Sequence, residues 1–406
     1  MRVVVAAEGT RGDVYPMLAL ARSLLAAGHS VRLCTPPDFE AEAAATGAEF
    51  VSLRSEVRSF IRGSAAAIHG GAIAMMREMS RWGELSLANQ FRVLPDAVAG
   101  SDFVIGAGTI IGGASAAERH GVPYRAVVYT PAVLPSADHT PCLWPLQLRS
   151  RWLNRALWRV ARGGLDLALR RELNRARASI GLAAVRDVYP HMLSTRPLLA
   201  VDRSLAPAPR DCPVPVEQLR CLHPHAPGPL PAKLESFLAA GPPPVFFGFG
   251  SMPDPDPRAT TRRLLAAIET LGCRAIVSEG WAGLGEGALP EGVITIGAID
   301  HASLFPRVAA VVHHGGSGTT HTAARAGAPQ LVVPHVLDQF YFARRVVELG
   351  IGLAAPRPAR LDEAGLVARL GALLDNEWLA SRARELADEL RALGPLEPDL
   401  DRVLAS

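Results

Sequence analysis

One stretch limits the folds open to this 406-residue chain more than any other: residues 304–339, which read L-F-P-R-V-A-A-V-V-H-H-G-G-S-G-T-T-H-T-A-A-R-A-G-A-P-Q-L-V-V-P-H-V-L-D-Q. Residues 308–312 are a short apolar run with β-branched members, which reads as a buried strand. Residues 313–318 turn the chain tightly on glycine. Residues 319–326 are small and helix-tolerant, and Gly327 stands where a helix C-cap belongs. Ala328 and Pro329 break the chain before a second buried strand at 330–333.

The chemistry of this turn suits an anion. Gly315, Gly316 and Gly318 let the backbone approach a ligand closely. The helix that follows offers unpaired N–H groups and the positive end of its dipole. Ser317, Thr319 and Thr320 add hydroxyl donors, and a histidine beside the turn can donate to a phosphate oxygen. The simpler alternative is a plain glycine-rich turn with the histidines as satisfied polar groups. The His313-His314-Gly315-Gly316 cluster and the downstream Asp338-Gln339 pair weigh towards a ligand site.

The rest of the chain repeats the same pattern. Residues 3–7, 31–35, 49–53, 103–107 and 124–129 read as strands, with helices at 14–27, 38–45 and 111–120 between them. That alternation implies a parallel, doubly wound α/β sheet. Residues 55–100 read as a pair of amphipathic helices over the sheet edge, and 151–180 as a long Arg- and Leu-rich helix with a solvated face. Residues 206–243 are dense in proline and read as an interdomain linker, with 198–202 and 218–222 able to add strands. A second domain restarts at 245–249, followed by a helix at 258–271, strands at 275–278 and 293–296, and helices at 339–349, 362–374 and 379–393. The expected organisation is a first domain at 1–205, a linker at 206–243, a second domain at 244–390, and a segment at 391–406 returning to the first.

Residues 304–339 resemble the nucleotide-diphosphate signature of GT-B fold glycosyltransferases, above all the bacterial enzymes that glycosylate glycopeptide antibiotics, polyketides and sterols. The opening turn Gly9-Thr10-Arg11-Gly12-Asp13-Val14, with Pro16, is similar to the same family's first turn. It lacks the G-x-G-x-x-G spacing of a dinucleotide-binding fold. The resemblance implies two facing Rossmann-like domains with parallel sheets and a cleft between them. It implies a donor site at His313, His314, Gly315, Gly316, Ser317, Gly318 and Thr319, with His313 in the leading role and His314 either sharing it or packing inward. Asp338 and Gln339 would hold sugar hydroxyls, and Ser251 and Trp281 would border the donor. Asp13 would be the general base, or would orient the acceptor hydroxyl, unless it is only a helix N-cap. Gly12, Met75, Met79 and Trp144 would lie on the acceptor side, where Met-rich surfaces adapt to bulky apolar ligands.

Composition removes several other classes. A net charge of +3 without a basic block gives no case for nucleic acid. Five scattered cysteines support neither a disulfide framework nor a zinc site. No uninterrupted apolar run of transmembrane length occurs, and the chain opens on a strand rather than a signal region, so a cytoplasmic protein, monomeric or weakly dimeric, is expected. Asp254 and Asp256 spell D-x-D, but within a proline-rich helix lead-in, so no metal and no resident cofactor are expected. The expected function is inverting, metal-independent transfer of a sugar from a UDP- or dTDP-sugar to a hydroxyl of a hydrophobic natural product. The rivals are a GT-B epimerase or phosphorylase, and a non-catalytic helper protein of glycosyltransferase type.

Overall fold

The computed structural model describes residues 1–64, 67, 72–222, 228–254, 256–394 and 399–405, with the backbone alone at 72, 73, 75, 76 and 79. The described chain forms two compact units. The first comprises Met1–Pro141, Leu148–Pro224 and Leu396–Ser406, and the second Cys142–Gln147 and His225–Pro395.

Unit 1 is built on seven strands: β1 (Arg2–Glu8), β2 (Ser30–Thr35), β3 (Glu49–Ser52), β4 (Phe103–Gly108), β5 (Tyr124–Val128), β6 (Leu198–Ala200) and β7 (Glu217–Leu219). They pair in the order β3-β2-β1-β4-β5-β6-β7, every pair parallel. In β1 every residue after Arg2 is buried, because a central parallel strand is covered on both faces. Val3, Val5 and Ala7 enter one core layer with Val14, Met17 and Leu24 of the first helix, and Val4 and Ala6 enter the other with Leu94 and Val98. Val403, near the C-terminus, joins the first layer, and Arg402 bonds Glu217 at 2.8 Å.

Unit 2 holds β8 (Val245–Gly248), β9 (Ala275–Ser278), β10 (Val293–Ile296), β11 (Ala310–His313), β12 (Gln330–Val332) and β13 (Gly352–Ala354). Their order is β10-β9-β8-β11-β12-β13, again all parallel. β13 escapes the sequence reading because Gly-Leu-Ala has no β-branched residue. Glycine is required at its start: a Cβ on Gly352 would lie 2.0 Å from the Gln330 carbonyl oxygen of the neighbouring strand.

Four helices matter below. Helix α1 (Arg11–Ala26) follows β1, α2 (Arg151–Ser179) lies outside the first sheet, α3 (Ser317–Ala326) follows β11, and α4 (Gln339–Glu348) follows β12. Helix α1 begins earlier than the expected 14, because Thr10 takes the N-cap position and the first turn is closed by Asp13 N to Thr10 O at 3.0 Å. The linker expected at 206–243 is not one continuous connection. β7 joins the first sheet, and a helix at Ala232–Ala239 packs Leu234 and Leu238 against Phe246 and Phe305. Pro231 sits at that helix's N-cap, where a missing N–H removes no intrahelical bond.

Candidate functional site

In an open parallel sheet, ligands gather outside the strand C-termini where the strand order reverses. Unit 2 reverses at β8/β11 and unit 1 at β1/β4. Most of the residues singled out in the sequence fall on these two points.

At β8/β11 the chain leaves β11 through His313. Its ring is fully buried and both nitrogens are engaged: Nε2–H donates to Gln330 Oε1 at 2.9 Å, and Nδ1 accepts from Gly315 N at 3.1 Å. Burial pulls its pKa down to about 4, so the ring is neutral. His313 therefore ties β11 to β12 and shapes the turn. His314 is the ring with capacity to spare. Its Nδ1 is buried without a partner, and burial, followed by the neighbouring histidines, holds its pKa well below the usual value.

Two glycines cradle the His314 ring. A Cβ on Gly250, at φ 61°, would approach its Cε1 to 3.0 Å, and one on Gly316 would approach its Nε2 to 2.4 Å. Gly315, at φ 90°, could not carry a side chain without striking Val332 at 2.7 Å. Helix α3 then starts at Ser317 with Gly316 as N-cap. Thr320 N closes the first turn on Gly316 O at 3.0 Å, which leaves the N–H groups of Ser317, Gly318 and Thr319 as the open donors of a helix N-terminus. Those three residues are partly or fully exposed, whereas Thr320 is buried and its hydroxyl donates to Gly316 O at 2.9 Å.

The neighbouring loops converge on the same end of the sheet. Ser251 is buried just after β8, and Trp281 N donates to Gly250 O at 3.0 Å. Gln339 is buried at the start of α4 with its amide engaged: Oε1 accepts from His335 N at 2.7 Å and Val336 N at 3.0 Å, and Nε2 contacts Met252 Sδ at 3.2 Å. It shapes the 335–338 loop. Asp338 is partly exposed and follows Leu337, whose φ of 54° is costly for a branched residue. That strained turn fixes the direction in which Asp338 leaves the loop. The D-x-D carboxylates act locally, since Asp256 Oδ1 caps Ala259 N at 2.9 Å and Asp254 Oδ1 accepts from Asp256 N at 2.8 Å. No metal-holding cluster occurs among the described residues.

At β1/β4 the candidate is Asp13. It is not an N-cap. It sits three residues past Thr10, whose N–H its Oδ2 accepts at 2.8 Å, the return half of a capping box. The packing is close: a Cβ on Gly9 would reach 2.2 Å from Oδ2, and one on Gly108 would reach 3.0 Å from Asp13 Cβ. Burial raises the Asp13 pKa to about 6, against the lowering effect of the Thr10 hydrogen bonds and with a smaller rise from Glu8. Gly12 is exposed beside it.

Glu8 was not singled out in the sequence. It closes β1, is fully buried, receives both Ser86 Oγ–H and Gln90 Nε2–H on Oε2, and leaves Oε1 without a partner. Burial raises its pKa as well. The available signal was an ionisable residue at the end of an otherwise apolar central strand. Of the acceptor-side residues, the side chains of Met75 and Met79 lie outside the described residues. Trp144 belongs to Cys142–Gln147, which packs with unit 2, so it is not part of the first unit. Burial lifts the Cys142 thiol to about 12, and the Asp338 carboxylate adds to the rise.

Comparison with known proteins agrees with both ends of the chain. Residues 3–136 match the glycosyltransferase family 28 N-terminal domain, and residues 262–398 match the erythromycin biosynthesis protein CIII-like C-terminal domain. The chain is 38% identical to the glycosyltransferase GtfE of Amycolatopsis orientalis over 373 residues, 90% of this chain and 88% of that protein. It is 36% identical to the vancomycin aglycone glucosyltransferase of the same organism, covering 97% and 95%. A sterol 3-beta-glucosyltransferase of Arabidopsis thaliana is 30% identical over 96% of this chain and 65% of its own length. Among solved structures, a glycotransferase of kitacinnamycin superposes with a TM-score of 0.71 at 21% identity, covering 98% and 96%. The glycosyltransferase VinC in complex with DTDP superposes with 0.69 at 22%, covering 98% and 97%. With two parallel sheets of this order and relatives of this identity across nearly the whole chain, the protein belongs to the GT-B glycosyltransferases that include those of glycopeptide-antibiotic biosynthesis.

Proposed function

We propose that the protein transfers a sugar, with inversion at C1 and without a metal ion, from a UDP- or dTDP-sugar to a hydroxyl of a hydrophobic natural product. The observation that carries this reading is the β11–α3 turn: three open N–H groups at a helix N-terminus beside a neutral histidine with an unpartnered buried nitrogen. That set can replace a divalent cation at a diphosphate. The vancomycin aglycone glucosyltransferase and the DTDP complex of VinC supply the substrate classes by analogy.

Ser317, Gly318 and Thr319 donate to the diphosphate oxygens, and His314, being neutral, donates a single N–H rather than a positive charge. Asp338 takes sugar hydroxyls, while His313 and Gln339 hold the loops in shape. The acceptor oxygen forms its bond to C1 from the face opposite the diphosphate. The C1–O bond to phosphate breaks, with its electron pair staying on the leaving diphosphate. Asp13 receives the acceptor's proton, and a carboxylate with a pKa near 6 is better matched to that task at neutral pH than an ordinary aspartate. The negative charge of Glu8 adds a smaller rise to the Asp13 pKa.

Isothermal titration with UDP and dTDP, with and without chelator, tests the donor half. We expect binding that chelator leaves intact and that His314→Ala weakens by roughly tenfold or more, about 1.4 kcal/mol. Metal-dependent binding, or binding indifferent to His314, would remove the reading.

A further inference from the structure

The outer face of α2 lies outside both switch points and combines many arginines with exposed apolar side chains. The helix runs for 29 residues with eight arginines against two carboxylates, Asp166 and Glu172, while the whole chain nets only +3. Asn154, Trp158, Leu169, Leu173 and Arg177 turn inward. On the opposite face stand Trp152, Val160 and Leu167, exposed to 71%, 61% and 87%. Seven- and eight-residue steps return to nearly the same side of a helix, so these three form a stripe about 22 Å long. Gly163 lies within it, and a Cβ there would meet nothing within 4 Å, so no described residue covers the stripe at that point.

Arginines flank the stripe on both sides. Arg155 and Arg159 lie along one edge and Arg171 and Arg175 along the other, all exposed. Arg175 is paired with Glu172, whereas Arg155, Arg159 and Arg171 have no ion-pair partner among the described residues. Arg155, Arg159 and Arg162 also line a groove of about 190 Å³ with Trp158 and Asp211. Single exposed apolar residues are ordinary, but an apolar line between two cationic edges is the pattern of a helix lying in a membrane interface. No helix of the described residues is long and apolar enough to cross a membrane, so contact would be parallel to the surface.

We propose that α2 docks the protein on an anionic lipid surface, with Trp152, Val160 and Leu167 entering the headgroup boundary and Arg155, Arg159 and Arg171 meeting lipid phosphates. An acidic protein would satisfy the arginines but leave three protruding apolar side chains in a line without a reason. A bilayer satisfies both.

The test is flotation of the full chain with phosphatidylcholine vesicles, with and without about a third phosphatidylglycerol. The expected result is binding to the anionic vesicles only, weakened by salt. The pairs V160D/L167D and R155E/R159E should each lower partitioning roughly tenfold or more. All four side chains are surface-exposed, so the melting temperature and the transfer rate to a water-soluble acceptor should not change. The proposal is overturned if the anionic vesicles do not bind, or if they bind equally well after both pairs are changed. It is also overturned if sedimentation shows a concentration-dependent dimer that V160D/L167D abolishes, which would assign the stripe to a second copy. Salt-resistant capture by an acidic protein in place of vesicles would assign it to a protein partner.

Discussion

The two switch points share a topology and differ in chemistry. Each lies where a first strand, β1 or β8, has neighbours running off in opposite directions, and each is followed by a glycine turn into a helix. At β8/β11 the turn leaves its helix N-terminus open: Ser317, Gly318 and Thr319 keep unfilled N–H groups and the nearby histidines are neutral. At β1/β4 the N–H of the N-cap residue is taken by the protein itself, because Asp13 folds back onto Thr10 N. The first arrangement attracts an anion. The second already contains one, and burial beside Glu8 makes that anion reluctant to stay ionised. The same local fold thus leaves open helix N–H donors in one unit and a buried carboxylate of raised pKa in the other. The deciding difference is whether a carboxylate occupies the first helical turn.

The largest effect should come from removing the base. Asp13→Asn keeps an acceptor oxygen for Thr10 N, so melting temperature and nucleotide affinity should hold, while turnover falls by about 10²–10⁴-fold. Turnover close to that of the unaltered enzyme would reduce Asp13 to its capping role and dissolve the contrast.

Next come the paired histidines. His313→Ala leaves Gln330 Oε1 and Gly315 N–H without partners in a buried place, which should cost about 1–3 kcal/mol of stability for each. His314→Ala should leave the melting temperature of the free protein nearly alone and act on nucleotide binding instead. Thermal melts of both variants, with and without dTDP, separate the cases. The reverse outcome would return the phosphate role to His313. Asp338→Ala sharpens the same side: transfer from a sugar donor should suffer well beyond binding of the bare nucleotide, and equal losses would make Asp338 a structural residue.

The smallest effect concerns pH. Asp13 must be ionised to accept a proton, so kcat/KM should fall as pH drops through about 6. Its raised folded-state pKa means that the fold holds the Asp13 proton more tightly than the unfolded chain does. The corresponding stability is present below about 4, the ordinary range, and is lost as pH rises through 6. Glu8→Gln removes the negative neighbour while keeping the shape, so the acid limb of the rate profile should move to lower pH. An unmoved limb would mean that burial alone sets the base.

The sequence by itself determined the strand–turn–helix alternation, because hydrophobic periodicity and glycine placement are local properties that survive into the fold. β9 and β10 fall at the expected 275–278 and 293–296, and most other strands shift by only a residue or two. β13 was illegible because its three residues pair through close backbone approach at Gly352, not through side-chain preference. The chemistry-bearing stretches were equally visible, since His313 to Thr319 and Asp13 carry unusual residue types at fixed spacings. Which atoms of those stretches are available was a tertiary matter. His313 and His314 are identical in sequence terms, but β11 aims one ring at Gln330, a partner 17 residues away, and leaves the other between Gly250 and Gly316. Gln339 reads like its neighbour Asp338 until its amide is seen holding His335 and Val336. Glu8 acquires its raised pKa only because the fold buries it, and that burial outweighs the lowering effect of the hydrogen bonds from Ser86 and Gln90, about eighty residues on. Hydrogen-bond partners and desolvation depend on what packs across the sheet, and no local pattern encodes that distance.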